Sequence, residues 1–167
     1  MNGASPNEIL RHFSPRAGRV LGLARVRAGR RGAGVVDLND LIAAIVLEDQ
    51  GRLESEFGGA GEVKVRNPKT SPPVLTVEQA SVILARSESG KVGDVVSAEE
   101  GLPPSHDMAR VLTAAFTLMN YTNQQHIHPL HLLIAALDDP NQTATLRNAG
   151  VARDLLIAAV ASGEYNQ

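Results

Sequence analysis

The sequence predicts an all-α domain built from two copies of one helical unit. Three observations carry this. The 167 residues contain no Trp or Cys and few aromatics, so Ala, Leu, Val and Ile must fill the core, a composition suited to close-packed helices. Apolar residues recur at spacings of three and four behind recognisable cap residues. The same pattern is also written twice, 91 positions apart. "RVLGLA" (Arg19–Ala24) faces "RVLTAA" (Arg110–Ala115), and in the same ungapped register "DLIAAIV" (Asp40–Val46) faces "HLLIAAL" (His131–Leu137).

The elements follow in order. Ser5-Pro6-Asn7-Glu8 is a capping box that opens a short helix before Phe13. In the first copy Ser14 caps and Pro15 takes the first helical position; Ala17, Val20, Leu21, Ala24 and Ala28 form the apolar face, and Gly29 to Gly34 end the helix. In the second copy Ser105 caps, Met108, Val111, Leu112, Ala115 and Met119 repeat the face, and the polar Asn120–Gln125 stretch ends it. A second helix follows in each copy, with Asp37 and His128 at the caps and Pro129 at a first helical position. Leu41, Ile42, Ile45 and Val46 in one, and Leu132, Leu133, Ala136 and Leu137 in the other, make these helices apolar enough for the centre of the domain. Thr76 with Gln79 caps a helix running to Gly90, "TATLRNAGV" is a short helix stopped at Gly150, and "ARDLLIAAVASG" is the last.

The Gly- and Pro-rich stretch 58–74 reads as a long surface loop, with alternating Val63 and Val65 compatible with a small hairpin; a short helix is expected near Asp94–Glu100. The expected organisation is one domain over 1–167, with repeat one at about 5–90, including the 58–74 insertion, and repeat two at about 102–163. Lys and Arg number 16 against 18 Asp and Glu, a net charge of -2 that gives no global attraction to nucleic acid or anionic membranes. The longest apolar run, Leu41–Leu47, is far short of the ~20 residues that span a bilayer. The start "MNGASPNEIL" lacks signal-peptide character, so a cytoplasmic location is expected.

"FSPRAGRVLGLA" followed by "DLNDLIAAIV", and "SHDMARVLTAA" followed by "HPLHLLIAAL", resemble the tandem repeat of the Clp amino-terminal domain. Copies in that family begin with a Phe-Thr-x-Arg-Ala-like start, carry a Val-Leu-x-x-Ala core and open the next helix with Gly-Thr-Glu-His-Leu-Leu. The resemblance covers about residues 10 to 50 and 102 to 163. It implies two four-helix repeats related by pseudo-twofold symmetry, and a module that binds substrates and adaptors at the front of a Clp unfoldase. The sequence departs from the family in carrying no ATPase motif, in a longer loop after the first copy, and at the Glu-His pair. There it has Asn39-Asp40 and Leu130-His131. That Glu helps some relatives recognise phosphorylated arginine, so its loss speaks against carrying this activity over. Leu130, where exposed, offers apolar contact instead. The resemblance places partner binding at Asn39, Asp40, Leu130 and His131.

Two other clusters invite a functional reading. His126, His128 and His131 lie within six residues, and a metal needs three or more converging ligands. The simpler reading makes His128 a cap and His131 the third helical residue, with no metal held. Arg25, Arg27, Arg30 and Arg31 fall in the last turns of a helix, where cations complement the dipole and face water. Gly18 and Gly22, four apart in one helix, either permit a close helix crossing or reflect composition. "SGKVGD" lacks the spacing of a phosphate-binding loop, and no nucleophile motif is present, so neither an enzyme nor a cofactor is expected. The expected function is a non-catalytic protein- or peptide-binding module, an adaptor or substrate-recognition domain whose partner is a polypeptide substrate, an adaptor or a Clp ATPase. The alternative is a stand-alone regulator that binds nucleic acid through the Arg25–Arg31 face.

Overall fold

A computed structural model describes residues 5–30, 32–51, 73–87, 104–140 and 143–162. Among them are eight helices and no strand longer than an isolated bridge: α1 (Pro6–Arg11), α2 (Pro15–Arg30), α3 (Leu38–Asp49), α4 (Val77–Ser87), α5 (His106–Tyr121), α6 (Pro129–Asp138), α7 (Thr143–Asn148) and α8 (Arg153–Ser162). The hairpin considered at 58–74 and the helix considered at Asp94–Glu100 lie outside the described residues.

Five of the described helices, α1 to α5, begin where the sequence supplies a side-chain acceptor for the orphan N–H groups of the first turn. Ser5 and Glu8 close a capping box on α1, and Thr76 and Gln79 pair in the same reciprocal way ahead of α4. Ser14 Oγ accepts from Ala17 N at 3.1 Å, and its counterpart Ser105 Oγ accepts from Met108 N at 3.2 Å. The 91-residue offset holds at the helix starts: α2 and α5 both span 16 residues and begin at Pro15 and His106, while α3 and α6 begin at Leu38 and Pro129. The C-termini match as well. Ala33 N bonds back to Ala28 O beyond α2, and Gln124 N bonds back to Met119 O beyond α5. Both turns need a left-handed residue. Gly32 provides φ 71° in the first copy and Asn123 provides φ 58° in the second.

The core sits on α3 and α6, which pack against each other at the centre. All of α3 except Asn39 is buried, as is α6 from Pro129 to Leu137. Full burial of each Leu or Ile here contributes about 1.5–3 kcal/mol of transfer free energy. α2 covers α3 as α5 covers α6, and α4 covers α3 as α8 covers α6. The apolar faces predicted for α2 and α5 are the buried ones. Gly18 and Gly22 make no close crossing: a Cβ at either would meet nothing within 4 Å.

The repeats are also sewn together through their connections. Short parallel bridges join Phe13 to Ile127 and Pro104 to Val36. Ser14 N donates to Ile127 O at 3.0 Å, and Ser105 N donates to Val36 O at 2.8 Å. Phe13 and Pro104 are equivalent under the 91-residue offset, as are Val36 and Ile127. Each copy therefore anchors the start of its first long helix on the other copy. α1 extends the exchange by packing on α5.

Candidate functional site

The four residues expected to bind a partner lie at the starts of α3 and α6, and three of them are buried. Asp40 is 3% exposed, Leu130 5% and His131 0%; Asn39 is half-buried. Leu130 thus offers no apolar contact to a partner. As the second residue of a helix enclosed on all sides, it belongs to the core. Asp40 and His131 instead close their helices from within. Asp40 Oδ2 accepts from Asp37 N at 3.1 Å, while His131 Nδ1 accepts from His128 N at 2.9 Å. These are reverse caps, made by the third helical residue on the backbone of the cap residue.

The histidines do not converge as ligands, and no group of three metal-ligating side chains occurs among the described residues. Both nitrogens of His131 are engaged, Nδ1 by His128 N and Nε2 by Thr122 Oγ1 at 3.0 Å. His128 stacks on it, ring centroids 5.7 Å apart, and its own Nδ1 is buried without a partner. His128 therefore occupies the cap position without its Nδ1 capping anything. Burial, the main cause, together with neighbouring His126 and Arg16 lowers the His128 pKa to about 4; burial and then His128 lower His131 to about 4. Both rings are neutral near pH 7.

The arginines at the end of α2 are not a uniformly solvated row. Arg30 is exposed, but Arg25 and Arg27 are half-buried, with Nε atoms withdrawn from solvent; Arg31 lies outside the described residues. An arginine the sequence did not single out is more deeply placed. Arg16 Nε bonds both oxygens of Glu48, at 2.7 and 2.8 Å, with both side chains almost fully buried.

A groove runs along the outer face of α5, toward the end of α6 and across to α8, within the second repeat; the groove expected for a peptide or partner helix was one between the repeats. One part of it, a cavity of about 490 Å³, is lined on its apolar side by Ala114, Leu118, Ala135 and Ile157. Tyr121, 81% exposed, stands at one edge. The rim carries the Arg153–Asp138 ion pair at 2.9 Å, and further along α5 Arg110 bridges Asp107 and Asp139 at 2.8 and 3.1 Å. Those carboxylates raise the pKa of both arginines. The signal in the sequence was faint: Leu118 and Tyr121 lie off the predicted apolar face of α5. An open apolar floor between charged edges can hold an extended or helical peptide.

No family model matches the sequence, and no curated protein matches it. The N-terminal domain of the caseinolytic protease-associated chaperone ClpD from Arabidopsis thaliana superposes with a TM-score of 0.59 at 19% identity, over 95% of this chain and 97% of that one. The fold is that of a Clp N-terminal domain. A protein from a malarial protein secretion system shares it, with a TM-score of 0.63 at 14% identity over 92% of this chain and 95% of that one. At such identities the Clp N-terminal likeness lies in helix order and packing, which agrees with the all-α repeat expected from the sequence. No described helix is long and apolar enough to cross a membrane.

Proposed function

We propose that this chain is a non-catalytic polypeptide-binding module serving a Clp-type chaperone or protease system in the cytoplasm, as an adaptor or substrate-recognition domain. The observation that carries this reading is the apolar groove over α5, α6 and α8, on a Clp N-terminal fold and away from the buried helix starts. Of the four residues first assigned to partner contact, Asn39 keeps that assignment. Asp40 and His131 hold the helix starts in place, and Leu130 supports the core. The groove takes its partner through apolar side chains on Leu118 and Ile157, with Arg153 and Asp138 setting its edge.

The test is an amide-resolved NMR titration of the whole chain with a permanently unfolded polypeptide. Saturable shifts at Ala114, Leu118 and Ile157, lost in Ile157→Asp, are expected. Shifts confined to other faces, or no binding at millimolar polypeptide, would sink this reading. The protein should not hydrolyse ATP under any of these conditions.

A further inference from the structure

The two crossings between the repeats are closed by different chemistry. At one, Ser105 N donates to Val36 O, and the neighbouring start of α3 is capped by the carboxylates of Asp37 and Asp40. At the other, Ser14 N donates to Ile127 O and Ile127 N donates to His12 O at 2.7 Å. The neighbouring start of α6 is capped by an imidazole, His131 Nδ1.

That imidazole has no place for a second proton. Its Nδ1 accepts from a backbone N–H, so its one proton sits on Nε2 and points at Thr122 Oγ1. Thr122 Oγ1 passes its own hydrogen to Leu118 O at 2.9 Å. A proton on Nδ1 would set donor against donor at the His128 N–H. His128, stacked on the same ring with a buried Nδ1, is equally badly placed to become a cation.

The surroundings do not compensate for such a charge. From α2, Arg16 faces His128, and its positive charge is engaged by Glu48. From the approach to α6, His126 meets the His128 ring at 6.4 Å. From the C-terminal cap of α5, the contact is the uncharged Thr122. His12, from the connection before α2, turns its ring onto Phe116 at 5.2 Å and gives the crossing only its carbonyl. The positive end of α6 adds to the opposition.

We propose that His128 and His131 form an acid-released latch at the Phe13–Ile127 crossing: neutral, they close the start of α6 and hold the repeats together there; protonated, they release it, while the Val36–Pro104 crossing stays closed. The sign follows from the groups themselves. The folded pKa values, about 4, lie below the value of about 6.5 of an unfolded-chain histidine. The latch is therefore fully effective above about pH 6.5 and is lost as the pH falls toward about 4.

Amide hydrogen exchange on the intact chain, corrected for the intrinsic rate at each pH, tests this directly. Protection of the Ser14 and Ile127 amides should fall below pH ~6.5 by roughly tenfold per pH unit for each histidine released. The Ser105 amide should keep its protection. His131→Asn, whose side-chain oxygen accepts from His128 N without titrating, should flatten the profile. Ring ¹⁵N shifts of the unaltered protein give an independent reading that does not depend on this variant folding: His131 should stay a neutral Nε2–H tautomer at pH ~6. Equal loss of protection at both crossings overturns the proposal. So does a His131 ring that takes its second proton near pH ~6.5 while Ile127 remains protected.

Discussion

The C-terminal end of the central helix carries a buried carboxylate in both repeats, Glu48 in the last turn of α3 and Asp139, at the equivalent position, as the residue that caps α6. In the first, Arg16 reaches Glu48 from inside the bundle. In the second, Arg110 reaches Asp139 from the surface and shares itself with Asp107. The arginines are not equivalent positions. The counterpart of Arg110 is Arg19, and the counterpart of Arg16 is Asp107. A carboxylate at a helix C-terminus opposes the macrodipole and needs a cation. The cation has moved by one helical turn between the copies while the carboxylate position has stayed. What the repeat retains is the electrostatic requirement, with the particular residue pair free to change.

The largest test of this contrast is Glu48→Ala. It leaves a guanidinium buried without its main partner and should cost about 3–5 kcal/mol in denaturant unfolding. Arg110→Ala removes an exposed partner and should shift the unfolding midpoint much less; equal shifts would dissolve the distinction between inner and outer pairing. The central helices should behave alike where the side pairs do not. Leu41→Ala and Leu132→Ala each remove a fully buried side chain from equivalent sites, and each should cost about 2–5 kcal/mol. A large difference between them would mean that the two halves of the core are not equally able to collapse around a cavity. Ser14→Ala and Ser105→Ala should each lose about 1 kcal/mol as caps. The smallest effect has the opposite sign. Gly18→Ala and Gly22→Ala should each stabilise by about 0.5–1 kcal/mol, because there is open space for the methyl group, and thermal unfolding should register the gain.

Much of the fold was legible because its signals are local. A serine three residues before the N–H it accepts, or an apolar face repeating every three or four positions, depends on nothing outside one helix. The buried face of α5 therefore matches expectation residue for residue, and that of α2 contains every expected residue with Arg16, Leu23 and Gly29 added. The features that were missed depend on distant parts of the chain. Arg16 reads as a surface charge until Glu48, 32 residues on, is brought beside it. Leu130 reads as an exposed helix start until the helix is found to be enclosed on every side. The groove arises because α5, α6 and α8 leave a gap between them, and gaps have no sequence period. His131 was placed at the right helical position, but its role as a hydrogen-bond acceptor emerges only from the ring geometry.

The exchanged anchors set a schedule for synthesis. Val36 pairs with Pro104 and Phe13 with Ile127, so the partner of Phe13 is made 114 residues after it. At translation rates of 5–20 residues per second, that separation is about 6–23 s. Over this interval α2 can form its turns and fold against α3, but the Ser14 N–H has no bridge partner, and the Val36 carbonyl gains its own only once Ser105 is made. Helical proteins ordinarily gain speed from short-range contacts. Here the last stitch is long-range, and an emerging ribosomal chain holds an unfinished first half until the second arrives to close both crossings.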